Sequence, residues 1–351
     1  MKKFIISLLL TAIAHTAMAQ TTLVATLIDY NGNYVNTYYG ANALVEAYND
    51  ADHGYTIVLS PGQFNSAFTL SKLITIRGAG MCSVPEKNVQ PTILNGTITF
   101  GTSWDLIANF PDNKITMEGI CTRDEVNFAN DTGLKNAQFT KCVFGKFFKV
   151  GTNLYRWENV SFVDCYMLGQ TYLPNSSTVA FYNCVLKDMW CASAGSTVHV
   201  ENCVIYNGSS GAYGNAVVQG LARNSFFIHN PSYPSSWFPP KTFVCDHCYS
   251  TTPNYFSNQE STTNTVVNRD ITAIFKYFDG TDWKDTYDYY ELTDWAKSNM
   301  TCGDGSQMSI YGGTAAPFSP LTSAPQITRF SAPESTSNGI LHVNIEVEMP
   351  Q

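Results

Sequence analysis

Charge is scarce in this chain, and basic charge most of all. Of its 351 residues 14% are charged, with 20 Lys and Arg against 28 Asp and Glu, for a formal net charge of −8. No Lys/Arg cluster stands anywhere in it. That excludes the electrostatic footprint by which proteins grip nucleic acid or anionic lipid. Beyond the first residues no stretch approaches the roughly eighteen consecutive apolar residues of a membrane-spanning helix, so no membrane insertion is expected. Also missing is any disulfide-like layout of the ten cysteines. Cys142, Cys165, Cys184, Cys203 and Cys248 recur at a period of about 20 residues, and Ser225 falls inside the last interval. Disulfide frameworks do not repeat at a structural period; buried thiols stacked as small hydrophobes do.

The N-terminus reads as an export signal. Lys2 and Lys3 precede an apolar run from Phe4 to Ile13, and Ala17-Met18-Ala19 has the small-x-small form of a cleavage site. Residues 1–19 are therefore expected to be removed, leaving a mature chain from Gln20 that is secreted, periplasmic or held at the cell surface. Aromatics make up 13% of the sequence. With Asn, Thr, Ser and Gly filling the rest, this is a strand- and turn-rich vocabulary.

Aligning the chain on the six recurring positions produces columns. Three residues before the anchor stand Phe139, Phe162, Phe181, Val200, Ala222 and Cys245; two after it stand Phe144, Met167, Leu186, Ile205, Phe227 and Ser250. Five before it stand Ala137, Val160, Val179, Val198, Gly220 and Phe243. These alternating apolar offsets describe strands with one buried face. Just before the anchor come Lys141, Asp164, Asn183, Asn202, Asn224 and His247. Asparagine tolerates left-handed backbone, so this column predicts a tight corner between two strands. A unit this short cannot bury its own apolar face and must stack on copies of itself. Leucines at leucine-rich-repeat offsets are absent and helical repeats are longer, which leaves a parallel β-helix. Glu201, Arg223 and Asp246 then form an outward ladder of alternating charge.

The chain before these coils fits. Leu44, Ala47, Tyr48 and Ala51 keep a helical stripe over about 41–51. Tyr55-Thr-Ile-Val-Leu-Ser-Pro-Gly-Gln-Phe64, Leu73-Ile-Thr-Ile-Arg-Gly-Ala-Gly80 and Pro91-Thr-Ile-Leu-Asn-Gly96 follow as strands and turns. This order resembles the opening of right-handed parallel β-helix proteins of the pectin-lyase-like superfamily, and the resemblance covers roughly residues 40–250. It implies an all-β, right-handed, single-stranded parallel β-helix at 20–314, with an N-terminal capping helix and regular coils over about 55–250. Residues 252–314, with Asp288-Tyr-Tyr-Glu-Leu292 and Asp304-Gly-Ser-Gln-Met308, depart from the period and resemble the closing region of secreted β-helix proteins from gut Bacteroidetes. Ser331–Gly339 reads as a polar turn or linker within 315–351. Leu341, Val343, Ile345, Val347 and Met349 then alternate as a short C-terminal β extension, expected to cover the top coil or to serve as an attachment tail.

The superfamily hosts lyases, hydrolases, esterases, epimerases and non-catalytic adhesins, and its catalytic signatures are absent here. The Asn-Thr-Asp, Asp-Asp and Gly-His-Gly elements of polygalacturonases do not occur. Neither do the Trp-Ile-Asp-His and Arg-x-Pro-x-x-Arg elements of pectate lyases, nor the elements of pectin methylesterases. Register alone offers candidates. Four past the anchor stand Lys146, Gly169, Asp188, Asn207 and His229. Stacked, Asp188 and His229 would suit general acid/base catalysis, with Asn207 bonding sugar hydroxyls. Trp190, Tyr206 and Trp237 could stack on pyranose faces, and Lys146, Lys187 or Arg156 could act as base or substrate cation. A solvated polar face and ordinary surface cations are the alternatives.

No cofactor is expected. Asp279, Asp282, Asp285 and Asp288 read either as a polar loop or as a Ca²⁺ loop. Cys245-Asp-His-Cys248, with His229, reads as core thiols rather than zinc. Cys82 and Cys191 lie off the ladder, where a disulfide could form but cannot be derived. The expectation is an exported monomer that engages a polysaccharide or other glycan along one flank, with or without lyase or hydrolase turnover. The competing class is a non-catalytic adhesin or structural module.

Overall fold

The computed structural model describes residues 23–310 apart from 84–89, 148–155, 208–218, 230–242, 257–262 and several shorter stretches, together with 326–331 and 344–348. Residues 1–19, expected from the sequence to be an export signal, lie outside the described residues. The chain forms a parallel β-solenoid. One sheet runs through eleven strands, from Tyr34–Tyr39 at its first edge to Phe243–Asp246 at its last. A second runs from Gly62–Asn65 through Thr92–Asn95, Ile120–Phe128, Val143–Phe147 and successive coils to Thr265–Val266.

The columns drawn from the sequence are the observed register. Phe162 pairs with Phe139 below and Phe181 above, then Val200, Ala222 and Cys245 follow in line. Phe144, Met167, Leu186, Ile205, Phe227 and Ser250 form the corresponding ladder in the second sheet. Phe139, Phe162 and Phe181 stack at centroid separations of 4.8 and 5.0 Å, each pair tilted by 13°, an arrangement that adds to their area burial. Glu201, Arg223 and Asp246 also lie in register, with Arg223 3.8 Å from Asp246 while Glu201 pairs with His199 at 3.2 Å. On an exposed surface this contributes little.

The corners explain the anchors. Lys141, Asp164, Asn183, Asn202, Asn224 and His247 all turn the chain with φ between +48° and +55°. Each of the five from Lys141 to Asn224 donates its N–H to a carbonyl of the next coil, as Asn183 does to Glu201 O at 3.0 Å. The anchor's N–H is met by a side chain instead. Cys184 N donates to Cys203 Sγ (3.3 Å), Cys203 N to Ser225 Oγ (3.1 Å) and Cys248 N to Asn264 Oδ1 (2.9 Å). The same side chains donate back to the carbonyl two residues earlier: Cys184 Sγ to Tyr182 O, Cys203 Sγ to Glu201 O, Ser225 Oγ to Arg223 O. The position therefore requires a small group that both donates and accepts, which a purely hydrophobic reading of the cysteines misses and Ser225 reveals. Burial pushes the Cys142, Cys165 and Cys184 thiols well above their usual range, so they remain protonated and inert. Nine cysteines are free, Cys82 among them; the side chain of Cys191 lies outside the described residues.

The predicted helix spans Ala43–Asp50 and packs on the first strands, with Ala43, Leu44, Ala47 and Tyr48 buried in the interior. Its C-terminal carbonyls are satisfied by a cation from a later strand connection: Lys72 Nζ reaches Tyr48 O, Asn49 O and Ala51 O at 2.7–2.9 Å. Ahead of it lies an antiparallel hairpin, Val24–Ile28 with Tyr34–Tyr39, which the repeat analysis does not anticipate. At the other end, Asn344–Glu348 pairs antiparallel with Gln326–Ser331. The alternating C-terminal strand is thus paired with Gln326–Ser331 in a two-stranded sheet of its own.

A second core lies outside the solenoid. The column one past the anchor, comprising Val143, Tyr166, Val185, Val204, Phe226 and Tyr249, is buried. It packs with Ile274, Phe275, Phe278, Tyr290, Leu292 and Met300 in one cluster. Residues 271–310 therefore lie along the outer flank of the second sheet. Phe275 meets Phe226 edge-on at 5.2 Å and Tyr290 meets Tyr166 at 5.6 Å.

Substitutions at two positions test the corner. Cys203→Ala should lower unfolding free energy by about 1–3 kcal/mol, because Cys184 N–H loses its acceptor in a buried site, whereas Cys203→Ser should remain near wild type in urea denaturation. Asp164 is pushed up to about 6 by burial, against the opposing effects of Asn183 Nδ2 (3.0 Å) and Lys141. The folded state holds this proton where the unfolded chain, near 3.8, has released it, so stability falls as pH rises through that window. Asp164→Asn, which extends the asparagine column, should stabilise at pH 7.5 by on the order of 2 kcal/mol and give no gain below pH 4; equal gains at both would refute the buried protonated carboxyl.

Candidate functional site

The third column past the anchor in the second sheet faces outward beside the second core. Lys187, Tyr206 and Ile228 are consecutive register partners in it, and Thr251 follows on the next coil. Facing this column are the loops that carry the chain into residues 271–310. Between them is a groove of about 440 Å³ lined by Tyr206, Ile228, Thr251, Thr252, Pro253, Arg269, Asp270, Ile271, Asp279, Gly280 and Thr281.

Each wall has a local cause. Tyr206 is half-buried, its ring held against the second core. Ile228, only 7% exposed, completes an apolar floor. The Arg269 guanidinium lies over the Trp295 ring at 4.2 Å, a cation–π contact that fixes a flexible side chain at the rim. Asp270 leads into the single 3₁₀ turn Ile271–Ala273. Asp279 Oδ1 accepts from both Thr281 N and Thr281 Oγ1 at 2.8 Å. Gly280 between them takes φ +88°, a conformation that favours glycine. Behind this rim, Glu291 receives Lys276 and Lys297, each at 2.7 Å, and the two cations hold its carboxyl below the usual range. Thr293 caps the helix Asp294–Asn299 by accepting from Ala296 N.

The residues singled out in the sequence fall into three groups. Tyr206 lines the groove and Lys187 is its register partner on the preceding coil, outside the lining, and Asn207 and His229 are neighbours in backbone register one residue further on. Lys146 and Trp190 lie on strands beyond the groove, paired with Glu125 and Tyr172. The column through Lys146 is displaced by one residue: Phe144 pairs with Met167, but Phe147 pairs with Thr171. An extra residue between Met167 and Thr171 thus takes Gly169 out of the expected line. Asp188 and Trp237 lie outside the described residues, as do the side chains of Lys146, Trp190, Asn207 and His229. Arg156 is occupied elsewhere, over the Trp104 ring at 4.4 Å and 3.2 Å from Glu158.

Among the described residues no group of three or more His, Cys, Asp or Glu is placed to hold a metal ion; Asp282 and Asp285 lie outside them. Cys245 and Cys248 are both fully buried. The Cys248 thiol and burial push Cys245 far upward, as for a core thiol. Sequence reasoning missed Arg269 and Asp270, which carry no periodic signal, and placed Asp279 in either a polar loop or a Ca²⁺ loop without assigning it to a groove. Comparison of the chain with family models, with curated proteins and with solved structures gives no match.

The second core holds the groove shut at its back. Tyr290, 1% exposed, should on replacement by Ala cost about 3–5 kcal/mol, in the range for large aromatic truncations. Limited proteolysis of Tyr290→Ala should then cut within 271–310 before it cuts the coils.

Proposed function

We propose that the protein is exported and binds a glycan at the groove floored by Tyr206, acting by recognition without turnover. The observation that carries this reading is the pairing of a half-buried aromatic ring and an aliphatic floor with Arg269, Asp270, Asp279 and a rim of threonines. An apolar face for a pyranose ring, encircled by donors and acceptors for its hydroxyls, is the composition of a small-molecule site. The scarcity of net basic charge and the aromatic richness of the chain support the same class of ligand.

A second reading is supported by the adjacency of Asn207 and His229 in register. In it Asp188 and His229 supply acid and base for a polysaccharide lyase or glycoside hydrolase. A third class, a protein-facing adhesin or structural module, calls for no glycan at all.

A glycan array probed with the mature chain, followed by assays for unsaturated uronates and new reducing ends, separates these readings. Glycan binding without product, weakened at least tenfold by Tyr206→Ala (about 1.4 kcal/mol) and by Arg269→Ala, is the expected result. Product formation abolished by Asp188→Ala would establish an enzyme. Absence of any bound glycan, or binding indifferent to Tyr206→Ala, would overturn the assignment of the groove.

A further inference from the structure

A second groove, of about 540 Å³, lies on the same flank near the N-terminal end of the solenoid. It is built from the first coils: Gln63 and Ile93 are register partners, and Ile93 pairs in turn with Cys121, two residues before Arg123. Ile93 contributes the apolar part, while Arg123, Gln63, Gln90 and Ser83 bring polar groups to its lining.

Arg123 sits on a distortion. Thr122 pairs with Phe144 but Glu125 with Lys146, so one extra residue is accommodated at Arg123-Asp124. Bulges of this kind re-aim a side chain. The neighbouring coil makes room for it: a Cβ on Gly145 would collide with the Arg123 carbonyl, so glycine is required there. The adjacent carboxylate is engaged with the backbone: Asp124 Oδ2 accepts from Gly96 N at 2.7 Å. Among the described residues Arg123 makes no ion pair, although the chain as a whole is acidic. Gln63 Oε1 accepts from Asn95 Nδ2 at 3.1 Å, which orients its amide and leaves the NH₂ group as donor.

We propose that this groove is a separate binding site for an oxyanion, carboxylate or sulfate, carried on a polyhydroxylated molecule. Arg123 would take the anion through its planar fork, and the Gln63 and Gln90 amides with the Ser83 hydroxyl would take neighbouring hydroxyls. The site is independent of the Tyr206 groove. Four strand spacings of the second sheet, roughly 19 Å, separate the strand that carries Arg123 from the one that carries Tyr206, and residues 271–310 cover the flank between them.

Isothermal titration of the mature chain with glucuronic acid, glucose 6-sulfate, glucose and inorganic sulfate tests it. One or both charged sugars should bind, the tighter naming the anion, and glucose should bind at least tenfold more weakly. Arg123→Gln should weaken the charged sugar at least tenfold with an unchanged melting temperature, Arg123→Lys should retain part of the affinity, and Tyr206→Ala should leave it unaltered. The proposal is overturned if glucose binds equally well, if inorganic sulfate binds as tightly as its sugar ester, if Arg123→Gln has no effect, or if none of the four binds. A loss caused by Tyr206→Ala instead would assign the binding to the other groove.

Discussion

Everything in this molecule depends on how a parallel coil turns its corner. A left-handed residue lets one strand end and the next begin within three residues, at the cost of taking one backbone N–H per turn out of the carbonyl ladder. Buried donors of this kind need partners. The solution here is to station a side-chain acceptor above the stranded donor, the Cys203 thiol over Cys184, the Ser225 hydroxyl over Cys203 and the Asn264 amide oxygen over Cys248, so that side chains, not backbone, complete the hydrogen bonding there. The corner also fixes phase. Because its residue must tolerate positive φ, and the next must donate and accept, the positions of the apolar residues on either side follow, and with them both interior ladders.

That rigidity is why so much of the fold was legible in the sequence. The positions of Cys142, Cys165, Cys184 and Cys203 announced the coil, Asn183 and Asn202 announced the corner, and the stacking of Phe139, Phe162 and Phe181 followed from register alone. What escaped detection obeys no period. The hairpin at residues 24–39 precedes the first coil and has no copy elsewhere. The pairing of the C-terminal strand with Gln326–Ser331 escaped too, because alternation reports one apolar face and not which strand lies beside it. The second core was present in the letters as Val143, Tyr166, Val185, Val204, Phe226 and Tyr249. Two apolar columns side by side mean a strand buried on both faces, whereas alternation suggests only one.

The candidate site was less legible than the fold for the same reason. Tyr206 sits on the repeat, where its position could be read from the column. Arg269, Asp270 and Asp279 come from the segment that folds back over the flank, where no column predicts which side chains converge. Periodic coils supply a floor whose residues can be counted off. The rim that gives the groove its chemistry comes from the aperiodic segment, and only the three-dimensional arrangement joins them.

The return of residues 271–310 over strands formed more than a hundred positions earlier also dictates an order of assembly. The Val143–Tyr249 stripe has no cover until the last coil is laid down, so during synthesis it is an open row of aliphatic and aromatic groups beside unfinished sheet edges. Contacts this distant in sequence form late and slowly. A chain truncated before residue 271 would carry that row permanently, and self-association through it is the expected fate of such a fragment.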